Sequence, residues 1–357
     1  MLDEEGFTRP ARGLYRTRIF AKGMILPNAA ARPPIRPHVV LLTTGGTIAM
    51  TATGSGGGDL TQTAADLAAA APGLADIAEL TAEPVLAKPS SSFTLDDLGQ
   101  IAAAARRAAE RADGVVITHG TDTLEETAFA LALLTRTQTP VVLTAAMRRP
   151  DQPGADGPAN LQAAVRVATS PAARGLGVLV VIDDEIHSGP LVRKSHSFRT
   201  HAFSSAPFGP IGWVAEDRVR IALAPAWRLP HLTYSGGSPI VPILEAGPGL
   251  EAAVIEALAD VADGLVVALT GAGHVAAGCV DALARLAARK PVVFASRTGA
   301  GETLRASYGF GGGEMELIAR GLIPAGPLDG RKARVLLQLL LAEGREIEDV
   351  LAVFAAF

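Results

Sequence analysis

The sequence predicts an α/β protein in two parts: a larger N-terminal domain on a doubly wound, mostly parallel sheet, then a smaller, Rossmann-like α/β domain. Three observations lead there. Short runs of branched apolar residues, such as Val39-Val40-Leu41-Leu42 and Val115-Val116-Ile117, alternate with alanine-rich stretches of helical length. Parallel strands joined by crossover helices impose that alternation. The series runs twice, interrupted over 224–239 by a stretch rich in proline, glycine and serine, which reads as a linker. Finally, 357 residues that are 48% apolar supply enough material for two cores.

In chain order, a strand is expected over 39–43, a helix over 64–71 stopped by Pro72-Gly73, and a short strand over 85–88. A long helix follows over 95–112, with Thr94 as its N-cap. Asp96 and Asp97 lie in its first turn, where carboxylates complement the helix dipole. Strand 114–118, helix 123–134, strand 140–144, helix 158–169 and strand 177–182 continue the alternation. Residues 193–219 read as irregular. Beyond the linker come strand 240–244, helix 250–260, strand 265–269, helix 276–289 and strand 291–295. Helices over 331–342 and 347–357 close the chain. The expected domains are therefore 38–223 and 240–357.

Residues 1–37 read as a disordered or loosely docked extension. They mix Asp3-Glu4-Glu5 with scattered arginines and prolines, and lack the apolar core of a secretory signal. No window reaches the roughly 18 consecutive apolar residues of a membrane span. The cytoplasm is the expected location. A net charge of -4 supplies no basic field for nucleic acid or an anionic membrane. The single cysteine, Cys279, excludes an intramolecular disulfide and a cysteine-based zinc site, and reads as a packed small hydrophobe.

Two segments carry the chemistry: Thr44-Gly45-Gly46-Thr47-Ile48-Ala49, and His119-Gly120-Thr121-Asp122-Thr123-Leu124-Glu125-Glu126-Thr127-Ala128. Each follows an apolar run and so sits at a strand's carboxyl end, where open parallel sheets bind ligands. Two threonine-bearing turns suit a hydroxyl nucleophile with partners better than a phosphate cradle. Thr47 is either that nucleophile or the cap of a turn, the commoner role. Thr121 and Asp122 either present a helix N-terminus to a substrate carboxylate and a side chain to an ammonium, or simply cap the helix. Lys194 is a base if its pKa falls from about 10.4, or else a solvated lysine. The glycine-rich stretch over 51–59 directly follows Thr47 and reads as a lid. His187, His196 and His201, with Asp183, Asp184 and Glu185, match no strong zinc signature, so no metal is expected. Gly271-Ala272-Gly273 and Gly299-Ala300-Gly301 lack the third glycine of a dinucleotide fingerprint.

Together these residues resemble the bacterial-type L-asparaginase family, which includes the glutaminase-asparaginases. The resemblance runs from about His38 to the C-terminus. Thr44 to Ala49 and His119 to Thr123 match its two signatures. Ala146-Met147-Arg148, Ala155-Asp156-Gly157-Pro158 and Lys332-Ala333-Arg334-Val335-Leu336-Leu337-Gln338-Leu339 match in order.

The resemblance implies hydrolysis of L-asparagine to L-aspartate and ammonia through an acyl-enzyme on Thr47, and leaves room for side activity on L-glutamine. Thr121, Asp122 and Lys194 would handle protons and orient the substrate. Backbone amides near Thr121 and Ala146 would hold the oxyanion. Ser90 would bind the α-carboxylate and Asp122 the α-ammonium, while Ser91 stands where many relatives carry glutamine. Glu314 matches an acidic residue that reaches a neighbouring subunit's site, with Glu302 and Glu316 as competitors. His274 stands where an asparagine reached from the partner is usual, and would either alter pH dependence and substrate choice or only pack at the interface. A homotetramer built as a dimer of dimers follows, with no cofactor, metal, nucleic acid or membrane.

One position departs. Many relatives carry a lid tyrosine that helps activate the nucleophile; here that place falls at Leu60. Thr61 or Thr63 substitutes, or Lys194 acts alone. Two further readings stay open. One is an ammonia-supplying amidotransferase subunit acting on charged transfer RNA, against which the lack of a basic tract counts. The other is an amino-acid-binding protein without turnover, which Leu60 keeps in play.

Overall fold

The computed structural model describes residues 36–52, 58–60, 66, 71, 73–227 and 229–357; at 49–52 and 58–60 it is the course of the backbone that is described. The helix expected over 64–71 lies almost wholly outside the described residues, as do residues 1–35, Thr61, Thr63 and the middle of the expected lid. The Leu60 side chain is likewise outside them.

β1 (His38–Thr43) is buried along its length beyond His38, as a strand covered on both faces must be. A 3₁₀ turn, Thr47–Ala49, leads into an antiparallel hairpin of β2 (Met50–Ala52) and β3 (Gly58–Leu60). α1 (Leu74–Ile77) delivers the chain to β4 (Glu79–Pro84) at the edge of the large sheet. The strand expected over 85–88 is therefore misplaced. An edge strand needs no apolar run, and Glu79–Pro84 is largely polar. The apolar Val85 and Leu86 instead close a turn, both donating their amides to Thr43 O at 2.9 and 3.2 Å.

α2 (Leu95–Ala109) opens with a capping box: Thr94 Oγ1 accepts from Asp97 N, and Asp97 accepts from Thr94 N. β5 (Gly114–Thr118), α3 (Leu124–Leu134), β6 (Val141–Thr144), α4 (Gly157–Thr169) and β7 (Val178–Ile182) complete a parallel array, β4-β1-β5-β6-β7. Every residue of β5, β6 and β7 is buried.

The remaining strands of the larger domain run antiparallel. Asp183 and Asp184, at φ 51° and 60°, form the two-residue turn from β7 into β8 (Glu185–Ser188). A tight hairpin turn requires that left-handed backbone. β9 (Arg193–Lys194) and β10 (Phe203–Ser204) pair with each other. β11 (Gly212–Ala215) and β12 (Arg218–Ile221) extend the large sheet, giving the order β12-β11-β8-β7-β6-β5-β1-β4. The region read as irregular thus holds three strands and the start of a fourth. They are two to four residues long, too short for a period-2 pattern to mark them.

The smaller sheet is parallel, in the order β13-β14-β15-β16. Its elements are β13 (Ile243–Glu245), α5 (Ala252–Ala259), β14 (Leu265–Leu269), α6 (Val280–Ala287), β15 (Val292–Ser296), α7 (Glu314–Ala319), β16 (Ile323–Pro324), α8 (Gly330–Ala342) and α9 (Ile347–Ala355). The sequence pattern contains neither α7 nor β16, which are six and two residues long. α3 is buried on nearly every side and packs against α8. One hydrophobic core therefore runs from Val40 and Leu42 through Phe129 and Leu131 to Leu336, Leu340 and Phe354. Among the described residues no helix is long and apolar enough to cross a membrane.

Candidate active site

β1 and β5 pair in parallel, with Thr43 opposite Thr118. The turns that follow them consequently lie side by side. Thr44 secures this by donating both its backbone N–H and its Oγ1 to Thr118 O, at 3.1 and 2.9 Å. Two glycines then allow close contact. Gly46 sits at φ 90°, and a Cβ there would lie 2.5 Å from the backbone of Gly120. A Cβ on Gly120 would lie 2.5 Å from Ser90 Oγ. Three segments meet where no side chain fits.

The result is a cleft of about 220 Å³ at the carboxyl ends of the strands. Thr47, Ser90, Thr121, Asp122 and Lys194 line it, with Gly46, Pro89, Gly120, Met147 and Ser197. Lys194 comes from β9, the ribbon that sequence periodicity missed. Its Nζ donates to Thr121 Oγ1 at 3.0 Å and to Asp122 Oδ1 at 2.8 Å. Thr121 is buried, whereas the Asp122 side chain is 65% exposed. One oxygen of Asp122 thus serves Lys194 while the carboxylate still opens to solvent, where a ligand ammonium can reach it. Ser90 is buried, and its carbonyl accepts from Thr123 Oγ1 at 2.9 Å. Ser91, next in the same turn, is exposed and outside the cleft lining.

The 145–148 turn forms the cleft wall behind Met147. Asp156 accepts from the amides of Met147 and Arg148 at 2.9 and 2.8 Å, and Asn160 Nδ2 donates to Ala145 O at 2.9 Å. Ala146 is buried between these anchors. This pairing explains why the Ala146-Met147-Arg148 and Ala155-Asp156-Gly157-Pro158 segments occur together: the second holds the first.

His119 begins the second turn and is fully buried. Burial pushes its pKa down to about 4, so the ring is neutral at ordinary pH. Its Nδ1 lies 2.7 Å from Gly120 O, and a carbonyl only accepts, so the proton resides on Nδ1.

Glu314 and His274 lie together in the smaller domain and do not line this chain's cleft. Glu314 is fully buried; its Oε1 accepts from the amides of Ser307 and Tyr308, at 2.7 Å each. Its Oε2 lies 3.4 Å from His274 Nε2. Burial works to raise the carboxyl's pKa, but the Tyr308 and Ser307 amides, its own backbone N–H and His274 outweigh it and hold it below the usual range. The His274 ring stands edge-on to Tyr308 and Phe310, at 4.7 and 5.1 Å between centroids. Of the two competing acids, Glu302 lines a different cavity, and Glu316 accepts from Gly312 N at 2.8 Å.

His187, His201 and His196 have local partners. His187 Nδ1 contacts Ser205 Oγ at 2.9 Å, His201 Nδ1 contacts Asp183 at 2.9 Å, and His196 Nδ1 accepts from the amides of Phe198 and Arg199. Among the described residues no group of three or more histidine, cysteine or acidic side chains is placed to hold a metal ion. Cys279 is buried, and its Sγ donates to Leu250 O.

Sequence reasoning missed Met147 and Ser197 as cleft-lining residues, although each adjoins one it named. It also missed Glu125, in the first turn of α3, whose side chain is buried and accepts the backbone N–H of Lys194 at 3.0 Å.

The chain matches known proteins over almost its whole length. The family model for the asparaginase N-terminal domain matches residues 38–227, and that for the glutaminase/asparaginase C-terminal domain matches residues 240–354. A probable L-asparaginase of Deinococcus radiodurans is 38% identical over 331 residues, covering 90% of this chain and 98% of that protein. L-asparaginase 2 of Escherichia coli is 33% identical over 334 residues, covering 89% of this chain and 92% of that one. The crystal structure of a probable cytoplasmic L-asparaginase from Campylobacter jejuni matches with a TM-score of 0.81 at 32% identity, over 90% of this chain and all of that one.

Proposed function

We propose that the chain, which belongs to the asparaginase family, hydrolyses L-asparagine to L-aspartate and ammonia through an ester on Thr47. The observation that carries this is Lys194 Nζ bridging Thr121 Oγ1 and Asp122 Oδ1 in a cleft that Thr47 also lines. The hydroxyl of Thr47 attacks the side-chain amide carbon and gives up its proton. The C–N bond then breaks, and the nitrogen leaves as ammonia after gaining that proton. Water adds to the ester, the C–O bond to Thr47 breaks, and the hydroxyl is restored by a proton from that water. Thr121 and Lys194 form the path along which these protons move.

Ser90 holds the α-carboxylate and Asp122 the α-ammonium. Backbone amides near Thr121 and Ala146 face the oxyanion. L-Glutamine is a secondary substrate. His274 and Glu314 contribute to the site of a neighbouring subunit in a homotetramer. The protein works in the cytoplasm, with domains over 38–223 and 240–357.

Ammonia release from L-asparagine tests the reading. Wild-type protein is expected to release it, and Thr47→Ala and Thr121→Ala are expected to abolish release. Binding of aspartate without any release in the wild type would instead identify an amino-acid-binding protein.

A further inference from the structure

Glu125 is a buried carboxylate that the reaction above leaves without a role. It lies in the first turn of α3 and is 1% exposed. Its Oε2 accepts the Lys194 backbone N–H at 3.0 Å, and its Oε1 pairs with Arg331 Nη1 at 2.7 Å. Arg331 belongs to the first turn of α8, in the smaller domain. The next residue, Lys332, is also buried and donates Nζ to Val192 O at 2.8 Å. One turn of α8 therefore grips the β9 segment twice, directly at Val192 and through Glu125 at Lys194.

We propose that Glu125 is a positioning residue for Lys194, setting the β9 backbone so that Nζ meets Thr121 and Asp122 together, and that Arg331 makes this placement depend on the smaller domain. The proposal rests on Lys194 handling protons as described above. A lysine side chain has many rotamers, and anchoring its backbone narrows where Nζ can go.

The same carboxylate is costly to keep ionised. Burial pushes its pKa up from 4.5 to about 7, with Asp329 adding to the rise and Arg331, Lys332 and the Lys194 amide opposing it. These residues of α8 and its cap, with Lys194 of β9, are the charged groups that face it. Because the folded-state pKa is raised, the unfolded chain loses its proton first, and stability falls as pH rises from about 4.5 to about 7. A glutamine at this position avoids the cost of the buried charge at pH 8, but offers one oxygen to two donors.

Purified full-length Glu125→Gln, Arg331→Gln and Lys194→Met are compared with wild type at pH 8 for kcat, KM and Tm. Glu125→Gln is expected to lower kcat roughly 10- to 100-fold, with KM within about twofold and Tm unchanged or higher. Arg331→Gln, whose wild-type side chain is 47% exposed and so hydrates freely, moves kcat the same way by less. Wild-type kcat in Glu125→Gln, or a fall in Tm with unchanged kcat per folded molecule, overturns the positioning role. Full activity in Lys194→Met overturns the proton-handling reading beneath it. Loss in Lys194→Met together with full activity in Glu125→Gln removes the positioning role alone.

Discussion

Gly46 and Gly120 meet backbone to backbone: a Cβ on Gly46 would lie 2.5 Å from both the Cα and the N of Gly120. Neither turn can retreat, because β1 and β5 hold them in register and Thr44 ties one to Thr118. Gly46 also has φ 90°, where a side chain strains the backbone. Gly46→Ala is expected to separate the turns, lowering kcat/KM about 100-fold and stability by about 1–3 kcal/mol. Steady-state kinetics and thermal melting measure both. An alanine variant with wild-type kinetics would show that the close approach is dispensable.

Lys194 and Asp122 share a 2.8 Å ion pair but have different expected roles. Replacing Lys194 with methionine removes the proton partner of Thr121, and kcat is expected to fall by about 10² to 10⁴ with little change in KM. Asp122→Asn removes the charge offered to the substrate ammonium and is expected to raise KM more than about tenfold. Equal effects of the two variants on KM would contradict this division.

The Glu314 carboxyl is held below its ordinary value, and the sign of its linkage follows. A depressed folded-state pKa contributes stability that is complete above the unfolded value of 4.5 and is lost as pH falls through the folded value. Glu314→Gln is expected to be less stable than wild type by about 1–3 kcal/mol at pH 7. The gap closes below pH 4.5, where the wild-type carboxyl takes up its proton. Denaturant melts across pH 3 to 7 measure it; a gap that stays constant with pH would contradict the assignment.

His274 is expected to serve the neighbouring subunit's cleft, since it does not line its own. Thr47→Ala, expected to be inactive, and His274→Ala, expected to be weak, should complement when their subunits are mixed and reassembled. Each mixed dimer has one cleft with an intact Thr47 facing an intact His274, so random exchange restores about a quarter of wild-type activity. Mixtures no more active than the average of the parents would place His274 outside the neighbouring cleft.

The core of the site was legible from sequence because its turns carry their reason with them. Gly45-Gly46-Thr47 and Gly120-Thr121-Asp122 each follow an apolar strand, and adjacent parallel strands bring such turns together. What stayed hidden depends on long-range contact. β9 holds Lys194 in place although it is two residues long, too short to leave a periodic trace. β4 is an edge strand without an apolar run, so apolar Val85 and Leu86 drew the expected strand into a turn. Glu125 stayed hidden because its partners Lys194 and Arg331 lie 69 and 206 residues away in sequence.

The ester on Thr47 is the claim from which the rest follows, and it can be trapped. L-Asparagine is mixed with the protein, quenched in acid within milliseconds, and the digest is read by mass spectrometry. An aspartyl adduct on the peptide carrying Thr47 is expected in the wild type and in no digest of Thr47→Ala, which releases no ammonia. An adduct on the peptide carrying Thr121, or full ammonia release by Thr47→Ala, would contradict it.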